Sequence, residues 1–240
     1  MSQPIALSSE VPATCRACNV RHAGMCAVLT AAELATMARS ARRTQHAPGE
    51  PLVVEDSKLT SYANVTDGVV KLSRVLRNGR QQVVGLQFAP DLLGRLFGRE
   101  NLVNVEAASE VDLCRIPKDV LEQLVATNPV LKQRLLDQSL QDLDEARDWM
   151  VTLGRKDARQ RVASLLLLVA RRCGAPGIDD PDRVVFDLPL TRSDMADFLG
   201  LTIETVSRQI SRLRHEGVVQ VANHRHVVIP SLPRLETLAG

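Results

Sequence analysis

From about Gln45 to Pro117 short β-branched or Leu-rich runs alternate with turn residues. The runs are Leu52–Val54, Val69–Leu72, Val83–Leu86 and Val111–Ile116, and the turns between them are Pro48-Gly49, Asp67-Gly68, Asn78-Gly79 and Pro90-Asp91. Strands this short at this spacing predict an antiparallel roll or barrel, with Asn78-Gly79 the sharpest hairpin signal in the chain. Ahead of the roll, Thr30 as N-cap, Glu33 three residues on, and apolar Leu34 and Met37 predict a short helix ending before the basic run Arg39–Arg43. Residues 1–14 are polar and contain Pro, without periodicity, and are expected to be loose.

Beyond Pro117 the period becomes helical. Residues 130–153 contain no Gly or Pro, and Ser139, Leu143, Ala146, Met150 and Leu153 recur at spacings of four and three. A helix lying on its own domain's core gives the same pattern. A length of roughly 35 Å at 1.5 Å per residue exceeds what a small domain needs, so Leu143, Ala146, Met150 and Leu153 are read as a dimer seam. Arg155–Arg172 is a further amphipathic helix, closed by Cys173-Gly174. Thr191 then caps a short helix to Leu199, Gly200-Leu201 turns, and Thr202 caps a longer helix through His215 that Gly217 stops. Two apolar strands, Val218–Val221 and His226–Ile229, flank a turn at Ala222–Arg225.

Residues 192–210 read as a helix-turn-helix. Small Ala196 sits where the helices cross, and Met195, Leu199, Leu201, Val206 and Ile210 form the buried set; the following hairpin is its wing. On the second helix Glu204, Ser207 and Arg208 share one face, opposite Val206, Ile210 and Leu213. A carboxylate four residues from a guanidinium can be an ordinary surface ion pair. Within a helix-turn-helix it becomes a base-reading set, because Glu accepts from cytosine N4 and Arg donates twice to guanine. Arg212, Arg214, His215, His224, Arg225 and His226 lie just beyond, where phosphates of double-stranded DNA would run.

Composition narrows the function. The 240 residues are 45% hydrophobic and 24% charged, with a net charge of +2, so DNA binding must come from a local basic face. Aromatic content of 2% argues against a stacking platform for single strands. The longest apolar run, Leu165–Ala170, is far short of a membrane span, and Met1–Pro12 lacks the basic and apolar stretches of a signal peptide. A cytoplasmic protein without a membrane association is expected.

Five cysteines are an odd number for a disulfide framework, and three of them fall in twelve residues, CRACNVRHAGMC. Cys15 and Cys18 in a CxxC turn, Cys26 and the distant Cys114 give four thiolates, which suit tetrahedral zinc or an iron–sulfur cluster alike. His22 could also serve zinc as a fourth ligand. Cys173, at a helix end, is expected to be a small core residue.

N-terminal cysteines, a β-roll, a long helix and the segment LGLTIETVSRQISRLRHEG together resemble the CRP/FNR family of bacterial transcription regulators, specifically its FNR oxygen-sensing branch. The resemblance runs from Cys15 to nearly the end of the chain. It rests on Glu204, Ser207 and Arg208 as an ExxSR motif and on Cys15, Cys18, Cys26 and Cys114. It implies an α+β fold with a β-roll like that of cyclic-nucleotide-binding proteins, a long dimerisation helix and a C-terminal winged helix-turn-helix. The corresponding division is 1–30, 31–127, 128–154 and 155–240. It also implies a 4Fe-4S cluster on the four cysteines whose destruction by oxygen ends DNA binding by the homodimer. Half-sites similar to TTGAT, arranged as TTGAT-N4-ATCAA, with Arg212 and Arg225 on phosphates, transcription activation through RNA polymerase, and no enzymatic activity follow from the same likeness. Seven residues separate Cys18 from Cys26, as in one subgroup, so cluster lability is expected to differ. Gly94-Arg95-Leu96-Phe97 and Val103-Asn104-Val105 stand where cAMP-binding relatives carry Gly-Glu and Arg-Ser pairs, so cyclic-nucleotide binding is not expected. A zinc- or haem-containing regulator of the same fold is one alternative. An iron–sulfur electron-transfer protein is another, and it leaves residues 191–229 unexplained.

Overall fold

The computed structural model describes residues 11–178, 180–223 and 225–240. They divide into two compact units, one of residues up to 72 plus 86–142, the other of residues 73–85 and 143–240.

The chain enters through helix α1 (Ala13–Arg16), a 3-10 turn (Gly24–Val28) and helix α2 (Ala31–Ser40). The expected capping box closes α2: Glu33 N–H donates to Thr30 Oγ1 at 3.3 Å, and Thr30 N–H donates to Glu33 Oε2 at 2.8 Å. Residues 1–10 lie outside the described residues, but Val11 is buried, so order begins earlier than the unpatterned sequence suggested. Strands β1 (Arg42–His46), β2 (Pro51–Val53), β3 (Ser61–Asp67), β4 (Val69–Val75), β5 (Gln81–Phe88), β6 (Leu92–Leu93), β7 (Asn104–Ala107) and β8 (Val111–Pro117) follow. They form two four-stranded sheets, in the orders β1-β8-β3-β6 and β2-β7-β4-β5. The Asn78-Gly79 hairpin joins β4 to β5, with Leu76 N–H donating to Arg80 O at 2.8 Å and Gly79 at φ 78°.

Alternation along β3 and β8 sorts two cores. Ala63, Val65, Val111 and Leu113 join Val70, Leu93 and Val105 in one. Tyr62 and Ile116 face the other way, into a second core with Met25, Leu34, Met37, Leu121, Leu124, Leu131 and Leu135. The last four belong to helices α3 (Lys118–Thr127) and α4 (Pro129–Arg155).

Helix α4 is 27 residues long, about 40 Å. Its expected seam is divided: Leu143, Ala146 and Met150 are exposed, Met150 by 71%, as is Ser139, whereas Leu153 is half-buried. Leu136 and Leu140 are also exposed. In the second unit Trp149 of α4 packs edge-on against Phe198, ring centroids 4.5 Å apart.

Helix α5 (Ala158–Cys173) starts three residues later than its periodicity suggested, because the Asp157 carboxylate caps it by accepting from Arg159 and Gln160 N–H. Cys173 is exposed, not a core residue: the buried face of α5 ends at Val169 and Ala170, and Gly174 terminates the helix. Strands β9 (Ala175–Pro176) and β10 (Val184–Asp187) precede α6 (Arg192–Leu199) and α7 (Ile203–His215), and β11 (Gln220–Ala222), β12 (His226–Ile229) and α8 (Leu232–Ala239) follow. One sheet in the order β11-β12-β10-β9 forms the wing, so the expected hairpin has a third and fourth strand behind it. Among the described residues no helix is long and apolar enough to cross a membrane.

Candidate metal centre and nucleic-acid interface

The four cysteines come from four kinds of backbone. Cys15 lies on α1, Cys18 just beyond it, Cys26 in the 3-10 turn and Cys114 on β8. Cys114 stands opposite Arg43 of β1 and Asn64 of β3 in register. All four line one cavity of about 180 Å³ with Thr14, Arg21, Arg43, Asn64 and Thr66, walled by Leu34, Met37, Ala38 and Ala41. Arg43 Nη2 donates to Thr14 O at 2.7 Å and so ties β1 to the cysteine segment. Arg134 Nε on α4 donates to Gly24 O at 3.3 Å, two residues before Cys26. Gly24 has φ 55° and could not carry a side chain, since a Cβ would stand 2.8 Å from Pro90 O. His22 is exposed and does not line the cavity, and Cys173 is not among its walls either.

None of the five cysteines is in a disulfide. Burial pushes the Cys26 thiol up to about 12 and the Cys114 thiol to about 11, and neighbouring sulfurs add to both shifts. Burial and Cys18 raise Cys15 as well, while Thr14, Arg43 and Arg21 pull the other way. Burial thus favours the protonated thiols of Cys15, Cys26 and Cys114, and a cationic centre in the cavity would offset that penalty by taking the place of their protons. Among the described residues, no group of three or more His, Cys, Asp or Glu side chains converges tightly enough to hold a single ion.

Sequence reading missed the cavity's other members. Arg43 hides in a basic run that looks like a helix tail, and nothing in the pattern sets Asn64 apart.

The helix-turn-helix is built as its caps dictate. Thr191 Oγ1 accepts from Asp194 N–H at 3.1 Å, Gly200 ends α6 in the left-handed region at φ 61°, and Thr202 Oγ1 accepts from Thr205 N–H at 3.2 Å to start α7. Met195, Ala196, Leu199, Val206, Ile210 and Leu213 are buried; Leu201 is only half-buried. Glu204, Ser207 and Arg208 are all exposed on α7. In place of a simple ion pair, hydrogen bonds from its own backbone N–H and from Thr202 hold the Glu204 carboxyl below its usual range. Arg208 Nη2 donates to Thr205 Oγ1 at 3.4 Å.

A groove of about 560 Å³ runs between α7 and the wing, lined by Arg192, Ser207, Ser211, Arg214 and Asn223. Arg225 is exposed at the wing's turn. Arg212 is already engaged: its Nε donates to Glu216 Oε1 at 3.0 Å, and Arg159 of α5 pairs with the same carboxylate. His226 Nδ1 lies 3.0 Å from Asp187 Oδ1, and His224 falls outside the described residues.

Both halves of this arrangement have known relatives. The Crp-like helix-turn-helix domain family matches residues 160–238 and the cyclic nucleotide-binding domain family residues 43–128. The transcriptional activator protein FnrL of Cereibacter sphaeroides is 39% identical over 96% of this chain and 95% of its own. The nitrogen fixation regulation protein FixK of Bradyrhizobium diazoefficiens is 36% identical over 94% of each. The structure of FixK2 from Bradyrhizobium japonicum superposes with a TM-score of 0.76 at 29% identity, covering 83% of this chain and 98% of that one. A β-roll, a long helix and a winged helix-turn-helix, aligned almost end to end with these regulators, place the chain in the CRP/FNR family of transcription regulators, which are DNA-binding proteins and not enzymes.

Proposed function

We propose that the chain is an oxygen-responsive transcription activator that works as a cytoplasmic homodimer, with a 4Fe-4S cluster on Cys15, Cys18, Cys26 and Cys114 governing its assembly on DNA. One observation carries the reading: four thiols, three from the N-terminal segment and one from β8, line a single cavity. A single zinc ion would draw its sulfurs to within about 3.8 Å of each other, whereas a cluster gives each thiolate its own iron, which suits sulfurs spread around a cavity wall. Arg21 and Arg43 offset the negative charge of such a centre. A bound cluster supplies oxygen-labile redox chemistry; the chain's own part is to seat the cysteine segment.

That seating reaches the dimerisation helix. Met25, beside Cys26, is fully buried in the core that contains Leu131 and Leu135 of α4, and Arg134 holds the Gly24 carbonyl. In the domain division we favour, residues 1–30 are the cysteine segment, 31–127 the sensor roll, 128–154 the dimerisation helix and 155–240 the DNA-binding domain. The seam Leu143, Ala146, Met150 and Leu153 is short. Asp142, Asp144, Glu145 and Asp148 crowd it, and in a parallel pairing they approach their own copies. Such a marginal seam lets the state of the cysteine site decide association. Met150→Glu is accordingly expected to sediment as a monomer even with its cluster intact.

Cyclic nucleotide has no place in this reading. A second cavity of the roll, about 390 Å³, is lined mainly by apolar side chains such as Leu52, Leu72 and Leu92, with Arg95 and Arg115. Asn104 Oδ1 is used within the fold, accepting from Glu55 N–H at 3.0 Å. Promoter activation then proceeds through RNA polymerase at a palindrome similar to TTGAT-N4-ATCAA.

Anaerobic purification tests the proposal. A brown protein with about four iron and four sulfide per chain, bleached by air with loss of dimer, is the expected result. A colourless zinc protein that binds DNA equally well with and without oxygen would overturn it.

A further inference from the structure

Among the groups that face the thiols, one buried amide has an acceptor with nothing to bind. Asn64 lies on β3, across the antiparallel pair from Cys114 of β8, and both residues line the cysteine cavity. Its strand neighbours Ala63 and Val65 enter the other core, so alternation turns Asn64 toward the cysteines. The residue is 1% exposed, and its Oδ1 is buried without a hydrogen-bond partner. Thr66, the next residue on that face, is satisfied, donating to Asp112 O at 3.0 Å. An unpaired buried amide oxygen opposes folding, and an apolar side chain at this position would not. The amide therefore has its use in something that enters the cavity.

The chemistry of the cavity says which end is used. An amide fits the same space turned end for end, offering either its oxygen or two N–H donors. The cavity's own groups are four sulfurs, which accept hydrogen bonds once they are thiolates. We propose that Asn64 is a hydrogen-bond donor reserved for the sulfur atoms of the four-cysteine site, a tuning residue that binds no metal itself. This rests on the cluster reading above. A donor to the sulfurs of such a centre stabilises its more electron-rich state and raises its reduction potential. Without the donor the centre gives up electrons more readily and is lost to oxygen sooner.

The full-length protein, prepared anaerobically, tests this with Asn64→Leu, which removes all polar atoms at similar size, and Asn64→Asp, which keeps the shape but has no N–H. The cluster-free Asn64→Leu protein is expected to resist urea at least as well as cluster-free wild type, because an orphan has been removed. Its loaded form is expected to show a more negative reduction potential and to bleach in air-saturated buffer about three- to tenfold faster. Asn64→Asp, with a carboxylate against thiolates, is expected to load less cluster than Asn64→Leu. Potentials and bleaching rates equal to wild type in Asn64→Leu, or full loading with wild-type behaviour in Asn64→Asp, would overturn the donor role while leaving the cluster in place. Absence of iron and sulfide from wild type itself would instead remove the reading beneath it.

Discussion

Serine at Cys114 is expected to abolish the anaerobic cluster absorbance, while serine at Cys173 leaves it unchanged. The contrast follows from placement. Cys114 stands on β8 with Arg43 and Asn64 opposite in register, and it is the cysteine of the cavity that the N-terminal segment does not supply. A hydroxyl there is a harder and far less acidic ligand than a thiol, and the remaining three sulfurs all belong to one short stretch. Losing Cys114 takes away the roll's own sulfur, so the ligand set no longer joins that stretch to the roll. Serine at Cys15, Cys18 or Cys26 has the same expected outcome. Cys173 is exposed at the end of α5 and outside the cavity. Iron and sulfide analysis of the purified variants reads the result, and a full cluster in Cys114→Ser would sink the ligand assignment.

Which parts of this arrangement the sequence reveals depends on whether local chemistry or distant partners decide them. The helix-turn-helix is local: Thr191, Gly200 and Thr202 each terminate or start a helix by a bond to residues three or four away, and the structure places those caps where the residues predict. The Asn78-Gly79 hairpin and the capping box at Thr30 are local in the same sense. Strand β1, Arg-Arg-Thr-Gln-His, has no apolar alternation at all. It is a strand because each of its residues pairs with β8, from Arg42 opposite Arg115 to His46 opposite Val111. Helix α8 is short and begins with Pro233 in its first turn, and it is held from outside, by Arg171 of α5 on Glu236 at 2.8 Å and Lys156 Nζ on Gly240 O at 3.0 Å. Cys173 misleads for the converse reason: its period continues the buried face of α5, but the core stops before it.

The cysteine site shows the same division. Three of its sulfurs are legible as a cluster of residues, whereas the fourth is a candidate only by the count of thiolates and by a family resemblance, because no spacing connects Cys26 with Cys114. Asn64 is legible in neither way. A single Asn in a strand of Tyr, Ala and Val looks like a surface position until register and burial put it opposite a cysteine.

Arg208→Ala is expected to weaken binding to the palindrome by roughly 1 to 3 kcal/mol and to relax the preference for guanine at one position of each half-site. Arg208 is exposed on the face of α7 opposite buried Val206, Ile210 and Leu213, one turn after Glu204. A guanidinium there can donate to guanine N7 and O6 while the Glu204 carboxylate, held ionised by Thr202 and its own backbone N–H, accepts from a cytosine amine. The 3.4 Å bond from Arg208 to Thr205 is long and exposed, so releasing it to bind a base costs little. Arg225 is exposed in the turn of the wing, away from the recognition helix in sequence. Its loss should weaken binding to all sequences alike and lower the salt slope by about one. Part of the Arg212 guanidinium is already committed to Glu216, so Arg212→Ala is expected to cost less affinity than Arg225→Ala. Titration of the anaerobic protein against the palindrome and single-base variants at several salt concentrations separates these roles. A uniform loss across all sequences for Arg208→Ala would make that residue a phosphate contact.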